Sequence, residues 1–299
     1  MAQKLIKLDT KSYEHPFDAK ALQAFKILPG ADKVTNFVMN WTTIKWLTIQ
    51  LAGSNFHVTE KSCPELFKQV KNIADILDLD RLPEIYTEWG YFVNAYTTGY
   101  DDATLLVIYS GAIDLMSEKE LNYIIGHEMG HIKSGHVLYH VMAQKFAEIV
   151  ANFSLAAPFI EPLCLALNYW VRMSEFTADR AGLLACQDLD AALKAIIKMA
   201  GLPGKFFSSM GKEAIIEQAK EFEQRYGGLA DKAIKTISIL DDSHPWTVMR
   251  AAELVKWVDS GEYEKVLNKY KGKACSICGN VEVQDASECS VCGNVDKWI

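Results

Sequence analysis

The segment IIGHEMGHIKSGHVLYH, Ile124 to His140, holds four of the chain's seven histidines, with a glutamate directly after the first. Imidazole nitrogens and carboxylates are the ordinary ligands of a hydrolytic zinc, and carboxylates also serve as bases. Residues four apart on a helix lie one above the other, so His127 and His131 can point two nitrogens at one ion. Glu128, one step on, is turned by about 100° and stands beside that pair, where it can reach a metal-bound water without ligating the ion. That is the position of a general base. His136 and His140 are also four apart, nine positions behind the first pair. On a helix continuing to His140 they fall on its opposite side, as solvent-facing or core histidines without a metal role.

A hydrolytic zinc takes three protein ligands and keeps a fourth position for water. The metzincin arrangement, with glycine three residues past the second histidine and a third histidine three beyond, is excluded, because Ser134 and Val137 occupy those places. Downstream, RMSEFTADRAG sets Glu175 and Asp179 four apart near the start of a helical pattern. Glu175 can complete a His-His-Glu set. Asp179, one turn along the same face, can accept the outer ring N–H of a ligating histidine and so fix its tautomer. Alone, such a pair of carboxylates would be an ordinary solvated helix face; the histidines upstream give it weight.

A second constellation lies near the C-terminus, where Cys275, Cys278, Cys289 and Cys292 form two CxxC pairs, each followed by Gly-Asn. Thiolates at this spacing can close a tetrahedral zinc site, and glycine permits the tight turns on which the sulfurs converge. With four sulfurs and no open position such a zinc is structural. The remaining cysteines, Cys63, Cys164 and Cys186, are scattered. This uneven use points to a reducing compartment rather than a disulfide framework.

These residues need elements to hold them. Ser117 followed by Glu120 is a capping-box signature that starts the histidine helix, expected to run to about His140. Leu66, Val70, Ile73, Ala74 and Leu77 mark one face of a helix between Cys63 and about Leu79. Residues 91–97 and 104–109 read as strands joined in a hairpin, the start of a small antiparallel sheet. Further helices are expected at about 169–186, 190–200, 212–225 and 245–259. The fold class is therefore α+β and mostly helical. The expected organisation is an N-terminal arm and amphipathic helix over residues 1–60, a zincin-like domain over 61–270, and a zinc ribbon over 271–299, where helical patterning gives way to cysteine, glycine and asparagine.

The chain of 299 residues is 49% apolar and 23% charged, with a formal charge of −7 and no basic stripe, so no nucleic-acid partner is expected. Lysines, aspartates and a His-Pro interrupt the N-terminus, which argues against a signal peptide. The apolar stretches within residues 36–53 and 146–171 are broken by polar residues and prolines short of the roughly 20 residues a spanning helix needs. A cytoplasmic location is expected, with peripheral membrane contact by either stretch left open.

In the order of their motifs, NAYTTG (Asn94 to Gly99), LLVIYSGAIDLMSEKEL, GHEMGH (Gly126 to His131), SEFTADR (Ser174 to Arg180) and SHPWTVMRAAEL (Ser243 to Leu254), the sequence resembles the zinc metallopeptidases of the HtpX and CAAX-prenyl-protease type. The resemblance covers roughly residues 60–260. It implies metal ligation by His127, His131 and Glu175, catalysis by Glu128 and support from Asp179, in agreement with the spacing. It also implies that His244, in a downstream His-Pro loop, approaches the metal as a resting-state plug or an oxyanion donor; as a helix-start histidine before Pro245 it would have neither role. Arg250 is expected in a structural ion pair. Relatives that cleave membrane proteins carry clear spanning helices, often between the two ligand motifs, and this chain departs from them there.

The expected activity is endoproteolysis of a peptide or unfolded protein, with one catalytic and one structural zinc. The backbone of Asn94, Ala95, Tyr96 and Thr97 would offer an extended substrate a strand to pair with, and the ribbon could recruit a protein partner. The competing expectation is a catalytically idle or latent binding protein, chaperone-like, whose ribbon does the recognising. An aminopeptidase is disfavoured by the lack of an exopeptidase motif such as GxMEN.

Overall fold

A computed structural model describes residues 2–27, 41–100, 103–143, 157–206, 212–226, 246–283, 286–295 and 298. The elements follow in the order α1 (Pro16–Lys26), α2 (Trp41–Ser54), β1 (Phe56–Val58), α3 (Pro64–Ile76), β2 (Glu84–Glu88), β3 (Ala95–Tyr100), β4 (Ala103–Tyr109), α4 (Ser110–Leu115) and α5 (Glu118–Lys133). Helical residues 137–143 come next. Then follow α6 (Ala157–Cys186), α7 (Leu189–Met199), α8 (Lys212–Arg225), α9 (Thr247–Asp259), α10 (Glu262–Tyr270) and the short strands β5 (Gly272–Ala274) and β6 (Val281–Val283). The fold is mostly helical, as expected. Of the two apolar stretches, residues 36–40 and 146–156 lie outside the described residues. Among the described residues no helix is long and apolar enough to cross a membrane.

The sheet corrects one expectation. Its order is β1-β2-β4-β3, and β2 pairs with β4 in parallel, so the sheet is mixed rather than antiparallel. The hairpin itself forms as expected from β3 and β4, although β3 starts at Ala95. A hairpin is legible from two adjacent β-rich runs, but which side of β4 receives β2 depends on tertiary packing. Side chains alternate between faces along the strands. Ile85, Leu106, Ile108 and Ala95 enter the main core, whereas Tyr86, Leu105, Val107 and Tyr96 pack on the other face with Leu51 of α2.

The histidine helix begins where the sequence says: a capping box at Ser117 is present, with the Ser117 N–H donating to Glu120 at 2.7 Å. It then packs on α6 through small residues. A Cβ at Gly126 would strike that of Ala185, and one at Gly130 would strike that of Ala181, so glycine at these two positions lets the helix backbones approach closely. Each of those glycines directly precedes a histidine of the HExxH pair.

The helix ends earlier than expected. It stops at Lys133, with Ser134 as its cap and Gly135 in the left-handed region at φ 70°. Gly135 is a stop signal of the kind many helices use, one the apolar periodicity conceals. His136 and His140 therefore do not share a continuous helix with His127, and placing them on its opposite side was wrong. In contrast, α6 is longer than expected, since apolar residues from Ala157 onward join the SEFTADR segment in one helix, burying Leu163, Leu167 and Trp170.

Candidate active site

Close approach of α5 and α6 brings two pairs of side chains together in the buried interior. His127 Nε2 lies 3.3 Å from Glu175 Oε2, and His131 Nε2 lies 3.3 Å from Glu175 Oε1. The two Nε2 atoms are 3.2 Å apart. One atom from each residue falls within 4.8 Å of the others. Glu128 is turned out of this triangle toward β3, where its Oε2 accepts the Thr97 hydroxyl at 3.2 Å.

The surroundings fix orientation. Asp179 Oδ1 stands 3.0 Å from His127 Nδ1 and accepts the Tyr123 hydroxyl at 2.7 Å. Arg250, from α9, donates to both oxygens of Asp179, Nη2 to Oδ1 at 2.6 Å and Nε to Oδ2 at 2.9 Å. It is the buried ion pair expected of it, and its Nη1 also comes within 3.6 Å of Glu175. A bidentate pair of this kind is a rigid fork. Burial alone would raise the Asp179 carboxyl, but the Arg250 charge and hydrogen bonds overcome it and hold the group well below the usual carboxylate range.

Three carboxylates against one guanidinium leave this interior hungry for positive charge. Burial pulls His127 down, yet hydrogen bonds to Asp179 and Glu175 outweigh it and lift the ring to about 9. His131 is taken down to about 4 by burial. Burial pushes Glu128 up to about 7, Glu175 adding to the push while His127 and the Thr97 hydroxyl oppose it.

The family model for Peptidase family M48 matches residues 61–258 of the 299. The chain belongs to peptidase family M48. Membership of this metallopeptidase family implies metal-dependent proteolysis of peptide or protein substrates. Among curated relatives, the chloroplastic "Plastoglobule-localized metallopeptidase 48" of Arabidopsis thaliana is 26% identical over 273 residues, which cover 89% of this chain and 78% of the relative. A "Protease HtpX homolog" of Ralstonia pickettii is 25% identical over 256 residues, 76% of this chain and 85% of that one. Among solved structures, the crystal structure of S. mikatae Ste24p aligns with a TM-score of 0.37 and 15% identity, covering 79% of this chain and 62% of Ste24p.

In this M48 peptidase the donor set suits a transition metal. Asp179 accepts only, so its contact with His127 Nδ1 requires a proton there, and Nε2, aimed at Glu175 and His131, is the nitrogen a metal would take in place of a second proton. Two imidazole nitrogens and a carboxylate are the donors a catalytic zinc takes. The small hollow beside them is lined by Asn94, Ala95, Tyr123, His127, Glu128 and Arg250, among others. Ala95 faces the core beside α5 and Thr97 reaches Glu128, but Tyr96 lies on the other face of the sheet, its hydroxyl bonded to Glu88 at 2.8 Å. Among the described residues β3 pairs with β4 alone, so it is an edge strand. His244 lies outside the described residues.

The cysteines also converge. Cys275 and Cys292 have sulfurs 3.6 Å apart, Cys278 and Cys289 3.5 Å apart, and all four fall within 4.8 Å. These separations exceed a disulfide bond of about 2.05 Å. They lie near the edge of about 3.8 Å expected of a tetrahedron with Zn–S of about 2.3 Å. The two knuckles repeat one pattern: Gly279 N–H donates to Cys275 O and Gly293 N–H to Cys289 O, each at 2.8 Å. Both glycines have positive φ, 74° and 66°.

Sequence reasoning missed three residues around the site. Thr97 was singled out for its backbone, yet its side chain meets Glu128. His136, turned back by Gly135, has its Nδ1 3.0 Å from that of His131. Asp18, from the N-terminal arm, reaches His136 Nε2 at 3.2 Å. The Ser134-Gly135 stop could have revealed the second; no local signal announces the third.

Proposed function

We propose that this M48 peptidase is a zinc-dependent endopeptidase, built as a zincin-like catalytic domain over residues 61–270 with a structural zinc ribbon over 271–299. His127, His131 and Glu175 would hold the catalytic zinc. Cys275, Cys278, Cys289 and Cys292 would hold the other. The observation that carries the proposal is the buried convergence of the two Nε2 atoms and both Glu175 oxygens, with Glu128 beside them but turned away.

A zinc ion held by His127, His131 and Glu175 would supply Lewis-acid polarisation of the scissile carbonyl and would increase the acidity of an attacking water. Glu128 takes the proton from that water on a carboxylate oxygen and delivers it to the leaving amine nitrogen. Thr97 holds one oxygen of Glu128, leaving the other for the proton. The outer edge of β3 offers backbone donors and acceptors to an extended peptide, a mode of binding that reads main chain more than sequence. Asp179, gripped by Arg250, keeps His127 in its ligating tautomer.

The test is Glu128→Gln assayed on an unfolded protein substrate. The variant is expected to keep its zinc and to lose cleavage by a factor of about 10²–10⁴, the usual contribution of a positioned base. Undiminished turnover would refute the assignment.

A further inference from the structure

His127 has a carboxylate directly behind it; His131 has a histidine. The turn at Ser134 and Gly135 brings the His136 N–H to the carbonyl of His131 at 2.9 Å and sets the rings side by side, Nδ1 to Nδ1, at 3.0 Å. The far nitrogen of His136, Nε2, faces Asp18 Oδ2 at 3.2 Å. Asp18 sits on α1 and is 1% exposed, and His136 is 3% exposed. Asp18 is itself clamped by α6: Trp170 Nε1 donates to Oδ1 at 2.8 Å and the Thr177 hydroxyl to Oδ2 at 2.6 Å.

With both rings neutral, the tautomers along this line follow from Asp18. An ionised carboxylate accepts only, so His136 must carry its proton on Nε2. Its Nδ1 is then a lone pair, and the facing His131 Nδ1 must carry the next proton. That leaves His131 Nε2 bare, the nitrogen that looks toward Glu175 and His127. We propose that Asp18 and His136 are positioning residues, a two-step relay by which the N-terminal arm selects the ligating tautomer of His131. Asp18 lies outside the residues 61–258 matched by the family, so the arm completes the metal site from beyond the family domain. The inference rests on His131 being a zinc ligand, as proposed above.

Asp18→Asn is the decisive variant. Trp170 N–H can only donate, so the amide oxygen must face it, and the amide nitrogen takes the place of Oδ2. His136 Nε2 then has to accept, the protons move across both rings, and His131 presents N–H where a lone pair is required. The Thr177 hydroxyl can turn to accept, so the arm keeps its anchor.

Zinc affinity of the site lost in Glu175→Ala is measured by chelator competition on the full chain. Asp18→Asn and His136→Gln are each expected to weaken it 10–100-fold, the usual cost of losing a partner behind a ligand. The cysteine site should not change. The double variant should be no weaker than His136→Gln alone, because both act through one path. Affinities within threefold of wild type would overturn the relay, as would fully additive losses, which would leave the arm a purely structural role. Should Asp18→Asn fail to fold, ¹⁵N spectra of wild-type histidines decide: protonated Nδ1 and bare Nε2 on His131 are expected, and the reverse overturns the proposal. If Glu175→Ala itself binds two zincs, it is the ligand assignment that fails, not the relay alone.

Discussion

Glu175 meets His127 with one oxygen and His131 with the other, so it is the residue that ties the triangle together. Its removal leaves two imidazoles, too few for a catalytic zinc. Protein passed over a desalting column and assayed for metal is therefore expected to hold two zincs as wild type and about one as Glu175→Ala. Cys278→Ser should lose the other, and with it the fold of residues 271–299, since a segment this short has little core of its own. Two zincs retained in Glu175→Ala would remove this residue from the ligand set. Much of the site was legible beforehand because helical spacing projects directly into space, pairing His127 with His131, setting Glu128 beside them and putting Asp179 one turn from Glu175, while the order of motifs shared with the resembling family joined the two helices. His136 was not, because one left-handed glycine reverses the chain and voids any extrapolation of helical angle. Asp18 could not be, since its contact joins residues far apart in sequence through tertiary packing alone.

The site's geometry is set by how closely α5 and α6 pack, and the two glycines of GHEMGH control that distance. Alanine is favoured over glycine inside a helix by about 1 kcal/mol. Gly126→Ala should nevertheless destabilise the protein by about 1–3 kcal/mol, the usual cost of overpacking, because the new methyl meets Ala185 on the facing helix. It should also weaken zinc binding, since spreading the helices moves Glu175 away from the histidines. Gly53→Ala in α2 is the control: a methyl there meets nothing within 4 Å, and a gain of about 0.5–1 kcal/mol is expected. Urea midpoints for the two variants check both signs, and equal gains would dismiss the close-approach argument. Helices were largely legible at this scale, since their apolar faces repeat within a single segment, as Leu66, Val70 and Ile73 do. The sheet was less so: β1 has only three residues, and the parallel partnership of β2 with β4 joins strands separated by β3. No local pattern encodes either.

Across the whole molecule, the N-terminal arm is a strap held by buried polar contacts as well as by apolar packing. The Leu5 N–H donates to Ile76 O at 3.0 Å and the Ile6 N–H to Tyr270 O at 2.8 Å, joining the arm to α3 and α10. His15 caps α1, its Nδ1 accepting from Phe17 N–H at 3.1 Å, so the ring's proton lies on Nε2, which faces Glu253 Oε2 of α9 at 3.3 Å. That hydrogen bond, first among its causes, draws the Glu253 carboxyl down to about 2, with burial opposing and Lys256 assisting. Asp18 on the same arm is also lowered, its burial outweighed by His136, Thr177 and Trp170. A carboxyl whose value falls on folding contributes stability that is complete above its ordinary value, 4.5 for Glu253, and is lost as pH drops through the folded one. The arm's docking should therefore loosen on acidification between about 4.5 and about 2. Glu253→Gln keeps an acceptor for His15 but carries no titrating proton. Its urea midpoint is expected to lie below that of wild type at pH 6 and to fall less steeply as pH drops through this window. Any metal held at the proposed sites would be released by acid from both proteins alike, so the comparison of slopes isolates the strap. Parallel slopes would mean that Glu253 is ionised as readily in the unfolded chain as in the folded one, and that the arm is held by its apolar contacts and Asp18 without it.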